Sequence, residues 1–160
     1  MFRLALPIAA VVLLADQLGK WWILNIVMAP PHDIVVTSFF TVVLAWNTGI
    51  SFSQLGSIHP WILSSLALAI VAGLIAWVHR LRRQWPAVAL ALIIGGAIGN
   101  VIDRLRFGAV VDFLYFHWRD WGWPAFNLAD SAITIGVVML LIDGLFGPAE
   151  KAKNAPIQGG

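Results

Sequence analysis

Apolar residues in this chain fall into four long runs separated by short polar punctuation. The runs cover about Leu4 to Met28, Pro60 to Val78, Pro86 to Arg104 and Leu128 to Phe146. At 1.5 Å per residue, each is long enough to cross a hydrocarbon core of ~30 Å, so the pattern predicts four transmembrane helices. The opening Met-Phe-Arg followed by LALPIAAVVLLA also fits the start of a signal peptide. Apolar sequence resumes as WWILNIVM after Asp16-Gln17-Leu18-Gly19-Lys20, with no clear small-x-small cleavage site. The first run is therefore read as a retained span.

One stretch breaks the helical pattern. Pro30-Pro31-His32-Asp33 ends the first run, and the following IVVTSFFTVVLAWNTGISFSQLGS is rich in Val, Ile, Thr and Phe and free of charge. Such residues suit extended backbone, so two short strands are expected, with Asn47-Thr48-Gly49 as a turn or bulge. Open strand edges cannot face hydrocarbon, which places these strands at the membrane interface against the bundle. His59-Pro60 opens the second helix and Gly147-Pro148 closes the fourth. Gly95 and Gly99 form a G-x-x-x-G that lets a neighbouring helix approach closely. The expected organisation is a single membrane domain over 1–150, with a polar, disordered cytoplasmic tail over 151–160.

Composition agrees. The chain is 60% hydrophobic and 11% charged, with a mean hydropathy of +0.85, against about 25% charged residues in soluble domains. Arg3, Arg80, Arg82, Arg83, Lys151 and Lys153 fall on one side of a four-span topology. By the positive-inside rule that side is cytoplasmic, so both termini lie inside, and the strand segment and the 105–127 region lie outside. A formal net charge of +2 is too small and too scattered to suggest nucleic acid. With no cysteine, thiol catalysis and thiolate metal sites are excluded. Nine Trp against one Tyr suit the membrane–water interface.

The chemistry concentrates between Gly99 and Ser131, which holds Asp103, Asp112, Asp120 and Asp130. A carboxylate in lipid costs roughly 2.5–3.5 kcal/mol on insertion scales, so it has a partner or a task. Asp16 and Lys20, four apart, can pair on one helix face, either orienting the helix or supporting a site. Asn100, Asp103 and Arg104 share another face. Asn127 can cap the fourth helix, which puts Asp130 in its first turn, where the helix dipole favours an anion. Asp112 lies in an extended, partly buried segment. Two carboxylates sharing a site can hold one proton between them, the arrangement that activates water against a peptide without thiol or metal. Other readings remain open on these residues alone. Asp130 can be merely a helix-start acid, and Asp112 can pair with Arg104 or Arg106. Asp120 is expected to be solvated, and Asp143 to serve packing or pairing at the inner end. No H-E-x-x-H, G-x-S-x-G or phosphate loop occurs. A proton-relaying transporter using Asp16, Asp103 and Asp130, or a non-catalytic assembly subunit, fits the same spacing.

Several pieces, in order and over nearly the whole chain, resemble the bacterial lipoprotein signal peptidases (signal peptidase II). They are Asp16-Gln17-Leu18-Gly19-Lys20, Asn47-Thr48-Gly49-Ile50-Ser51-Phe52, Gly99-Asn100-Val101-Ile102-Asp103-Arg104, Val110-Val111-Asp112-Phe113 and Phe126-Asn127-Leu128-Ala129-Asp130-Ser131. The resemblance implies an all-α membrane fold of four transmembrane helices with a small extracytoplasmic β-sheet cradle and a short outer helix or lid. It implies an aspartyl endopeptidase of the bacterial cytoplasmic membrane, with its site at the outer leaflet, that cuts prolipoproteins just before a diacylglyceryl-modified cysteine. It implies Asp112 and Asp130 as the catalytic dyad. Asp16, Lys20, Asn47, Gly49, Asn100, Asp103, Arg104, Asn127 and Ser131 are implied as supporting or substrate-contacting residues. No metal, cofactor or nucleic acid is expected, and the implied partners are lipid-modified prolipoproteins and membrane lipid, with the enzyme a monomer. Gly19 departs from the Ser or Thr that the family often carries there. The Trp-rich segment Phe116–Trp123 is expected to form an interfacial lid.

Overall fold

A computed structural model describes residues 1–49 and 59–146. The expected tail over 151–160, and Ile50, Ser51 and Phe52 of the second motif, lie outside the described residues. Helix α1 spans Phe2–Trp22 and continues as one π-helical turn, Ile23–Val27. Strands β1 (Ile34–Thr37) and β2 (Phe40–Asn47) follow, as the β-branched composition predicts. Helices α2 (Pro60–Arg80) and α3 (Gln84–Phe107) lead to β3 (Val110–Trp118), β4 (Trp121–Gly122) and α4 (Leu128–Phe146). Helix α3 outruns the expected span at both ends. Pro86 is tolerated in its first turn, and the helix runs on through Phe107 until Gly108, at φ 74°, supplies the left-handed cap that stops it.

Helix α3 is the axis of the bundle. It buries thirteen residues, whereas α1, α2 and α4 bury three each. The other helices turn apolar side chains such as Leu14, Leu66 and Leu141 outward. That inversion suits a hydrocarbon solvent, and all four helices are long and apolar enough to span a membrane. Close approach rests on small residues. A Cβ on Gly95 would stand 2.6 Å from the Ala9 carbonyl oxygen, and one on Gly96 would stand 2.5 Å from that of Ala129. The first glycine of the G-x-x-x-G thus seats α1, while Gly96 seats the start of α4.

The sheet is antiparallel, in the order β1-β2-β3-β4. Ala45 pairs with Asp112 and Asn47 with Val110, after an irregularity between Val42 and Ala45 that re-aims the end of β2. Phe126 joins this sheet as a single bridge. Its carbonyl accepts from Leu114 N at 2.8 Å, and its own N–H donates to Leu114 O at 3.0 Å. Asn127 and the first turn of α4 are thereby stitched to β3. The residues expected as a lid form the β3–β4 hairpin, closed by Trp123 N donating to Phe116 O at 2.8 Å.

Candidate active site

Two layers of polar side chains converge where α1, α3, β3 and α4 meet. The deeper one is built on the Asp16–Lys20 spacing. Lys20 Nζ lies 2.8 Å from Asp16 Oδ2 and 2.7 Å from Asp103 Oδ2, and also donates to Asn100 Oδ1 at 3.2 Å. All three charged side chains are almost wholly buried. The carboxylates bind backbone as well: Asp16 Oδ1 accepts from Ala129 N at 3.0 Å and Asp103 Oδ2 from Val111 N at 3.2 Å. One lysine therefore ties α1 to α3, and its two acids hold the start of α4 and the start of β3. Gly99 leaves room for this, since a Cβ there would stand 2.5 Å from Asp16 Oδ2. Gln17 belongs to the layer although its sequence position singled out no role. Its amide donates to Asp16, to Gly99 O and to Asp103.

The second layer carries Asp112 and Asp130. Asn127 caps α4 reciprocally: Asp130 N donates to Asn127 Oδ1 at 2.9 Å, and Asn127 N donates to Asp130 Oδ2 at 3.2 Å. Asn127 Nδ2 meanwhile donates to Asp112 Oδ1 at 2.7 Å. Asn100 Nδ2 donates to Asp130 Oδ1 at 2.8 Å. From the solvent side the exposed Asn47 donates to Asp112 Oδ2 at 3.0 Å, and its own Oδ1 accepts from Gly49 N at 2.9 Å. Gly49, at φ 110°, makes that turn without strain. Ser131 supports the cap by donating its hydroxyl to Asn127 O at 3.0 Å.

The Asp112 carboxyl is pushed up to about 6 from an ordinary 3.8. Burial is the main cause and the Asp130 charge adds to it, while the hydrogen bonds from Asn47 and Asn127 oppose it. Asp112 forms no ion pair with Arg104 or Arg106, so that alternative falls. Arg104 is half-buried, donates to Asn100 O at 3.4 Å, and leaves its Nε without a partner. The charges of Asp130, Asp103 and Asp112 act on its guanidinium. Asp120 is exposed in the hairpin turn. Asp143 binds Arg83 at 2.6 and 3.0 Å across the opposite end of the bundle, an ion pair rather than a site. Among the described residues, no three His, Cys, Asp or Glu side chains gather closely enough to share a metal ion.

Comparisons agree with this architecture. The family model described as "Signal peptidase (SPase) II" matches residues 8–146. A "Lipoprotein signal peptidase" of Azoarcus sp. (strain BH72) is 50% identical over 157 residues, covering 94% of this chain and 88% of that protein. A second, from Rhodopseudomonas palustris (strain TIE-1), is 47% identical over 160 residues, covering 94% and 97%. A solved structure described as "Bacterial membrane enzyme structure by the in meso method at 2.3 A resolution" superposes with a TM-score of 0.79 at 29% identity, covering 93% of this chain and 92% of the other. The chain belongs to the signal peptidase II family, membrane proteases whose role is to process the signal peptides of prolipoproteins.

Proposed function

We propose that this protease cuts by an aspartyl mechanism in which Asp112 and Asp130 share one proton and activate a water molecule. The observation that carries the reading is Asn127. One side chain donates to Asp112 and accepts from the backbone of Asp130, so two acids 18 positions apart are referred to a common ruler. The upward push on Asp112 supports a proton held within the pair. The ionised carboxylate takes a proton from water as the oxygen attacks the scissile carbonyl carbon, and the protonated partner hydrogen-bonds the carbonyl oxygen. The tetrahedral intermediate then breaks its C–N bond, and the leaving nitrogen receives a proton from the pair. Titration belongs to the two acids jointly, so neither is assigned a fixed role.

The substrate is a diacylglyceryl-modified prolipoprotein, cut on the N-terminal side of its lipid-modified cysteine. It arrives in the membrane plane, and the outward apolar faces of the helices suit its acyl chains. The orientation puts both termini in the cytoplasm and the sheet outside, since Arg80, Arg82 and Arg83 gather at the end of the bundle away from the sheet. The enzyme works as a monomer. Asn47, Gly49, Asn100, Arg104, Asn127 and Ser131 support or contact the site, and the Asp16–Lys20–Asp103 layer sets its floor. The Trp-rich hairpin covers the site when substrate is bound, as lids do elsewhere. Spin labels on the hairpin should lose mobility when an inhibitor binds; equal mobility removes the lid.

A gel-shift assay on a purified diacylated prolipoprotein tests the dyad. Asp112→Asn and Asp130→Asn should each insert normally and lose cleavage by about a thousandfold or more. Near wild-type turnover by either variant refutes the mechanism.

A further inference from the structure

We propose that a cavity on the flank between α1 and α3 binds the phosphate of an anionic phospholipid headgroup through Arg106. The cavity measures about 260 Å3, large enough for a phosphate and its glycerol but not for a whole lipid. Its floor is the outer side of the Lys20–Asp103 pair, and its walls carry Trp21, Asn25, Arg106 and Phe107. It therefore opens at the sheet end of the bundle, at the depth of the buried ion-pair layer. The site proposed for catalysis faces β3 and α4 instead, and this inference does not rest on it.

Charge selects the occupant. Lys20 is already committed to two carboxylates, whereas Arg106 is exposed and has no ion-pair partner among the described residues. Its guanidinium lies over the Phe107 ring at 4.9 Å, which fixes one face of the fork and leaves its edge free for a planar pair of phosphate oxygens. Trp21, 55% exposed, lines the same mouth. The direction of the chains selects a lipid over a free anion. Leu18 and Leu14 stand one and two turns below Trp21 on the same face of α1, and both are exposed, at 64% and 59%. They form an apolar track leading from the cavity mouth into the span, where acyl chains attached to a phosphate held at Arg106 would lie.

Native mass spectrometry of the full chain in detergent, titrated with phosphatidylglycerol or phosphatidylcholine, tests this. Wild type should retain phosphatidylglycerol in preference to phosphatidylcholine. Arg106→Gln should weaken that retention about tenfold, the low end for a charge-assisted hydrogen bond. Arg106→Lys should keep part of it, and Arg82→Gln, at the other end of the bundle, should change nothing. Equal retention by Arg106→Gln overturns the proposal, as does equal retention of the two lipids by wild type. Displacement of phosphatidylglycerol by millimolar inorganic phosphate also overturns it, because the cavity would then recognise a bare anion rather than a lipid.

Discussion

Asn127 Nδ2 donates to Asp112 Oδ1 at 2.7 Å while the same residue is 0% exposed. Asn127 is the first capping residue of α4, and Asp112 is the third residue of β3. The contact therefore locks a helix terminus onto a strand, and both carboxylates take their positions from it.

Removing that amide should separate activity from folding. Asn127→Ala loses the cap of α4, worth about 1 kcal/mol, and lets Asp112 drift relative to Asp130. Misplacement of about 1 Å costs on the order of a hundredfold in rate. A modest fall in melting temperature with a much larger fall in kcat is the expected outcome, measured by thermal unfolding and prolipoprotein cleavage on one preparation. Proportionate losses would make Asn127 purely structural.

The pH dependence follows from the direction of the Asp112 shift. Its carboxyl is raised from 3.8 to about 6, so the folded protein keeps that proton up to about pH 6 and loses it above. If the pair must hold one proton to work, log kcat/KM should fall on the alkaline side of a limb near pH 6. Bound substrate excludes further water, so the limb in kcat should lie higher. Asn47→Ala removes a hydrogen bond that favours the ionised form, so it should move the limb upward while lowering turnover. A limb that stays put in Asn47→Ala contradicts the assignment.

Lys20 is the keystone of the buried layer. Lys20→Met leaves Asp16 and Asp103 buried without their cation, a change that typically costs 3–5 kcal/mol. Thermal unfolding in detergent should show a severely destabilised protein. Asp16→Asn added to Lys20→Met removes one of the uncompensated charges and should recover part of the loss.

Glycine positions make a paired test of packing. Gly96→Ala drives a Cβ against the Ala129 carbonyl, so α4 must shift, at a typical overpacking cost of about 1–3 kcal/mol, and Asp130 shifts with it. A Cβ on Gly73 meets nothing within 4 Å, so Gly73→Ala, inside α2, should leave cleavage unchanged and should not lower the unfolding temperature.

The four spans, the two strands and the Asp16–Lys20 pair could be read from the order of residues, because hydropathy, β-branching and an i,i+4 spacing are local properties. Family membership was legible in the same way, from five short motifs. The pairing of distant faces was not. Nothing near Lys20 names Asp103 as its second partner, and nothing near Gln17 names Gly99 and Asp103 as its acceptors. Nor does the sequence around Asp143 point to Arg83, which it meets across sixty positions. A helical period fixes which residues share a face, but not which face of another helix it will meet. That choice came from α3 taking the centre of the bundle, from glycines that admit α1 and α4 against it, and from the Phe126 bridge that carries the start of α4 to β3.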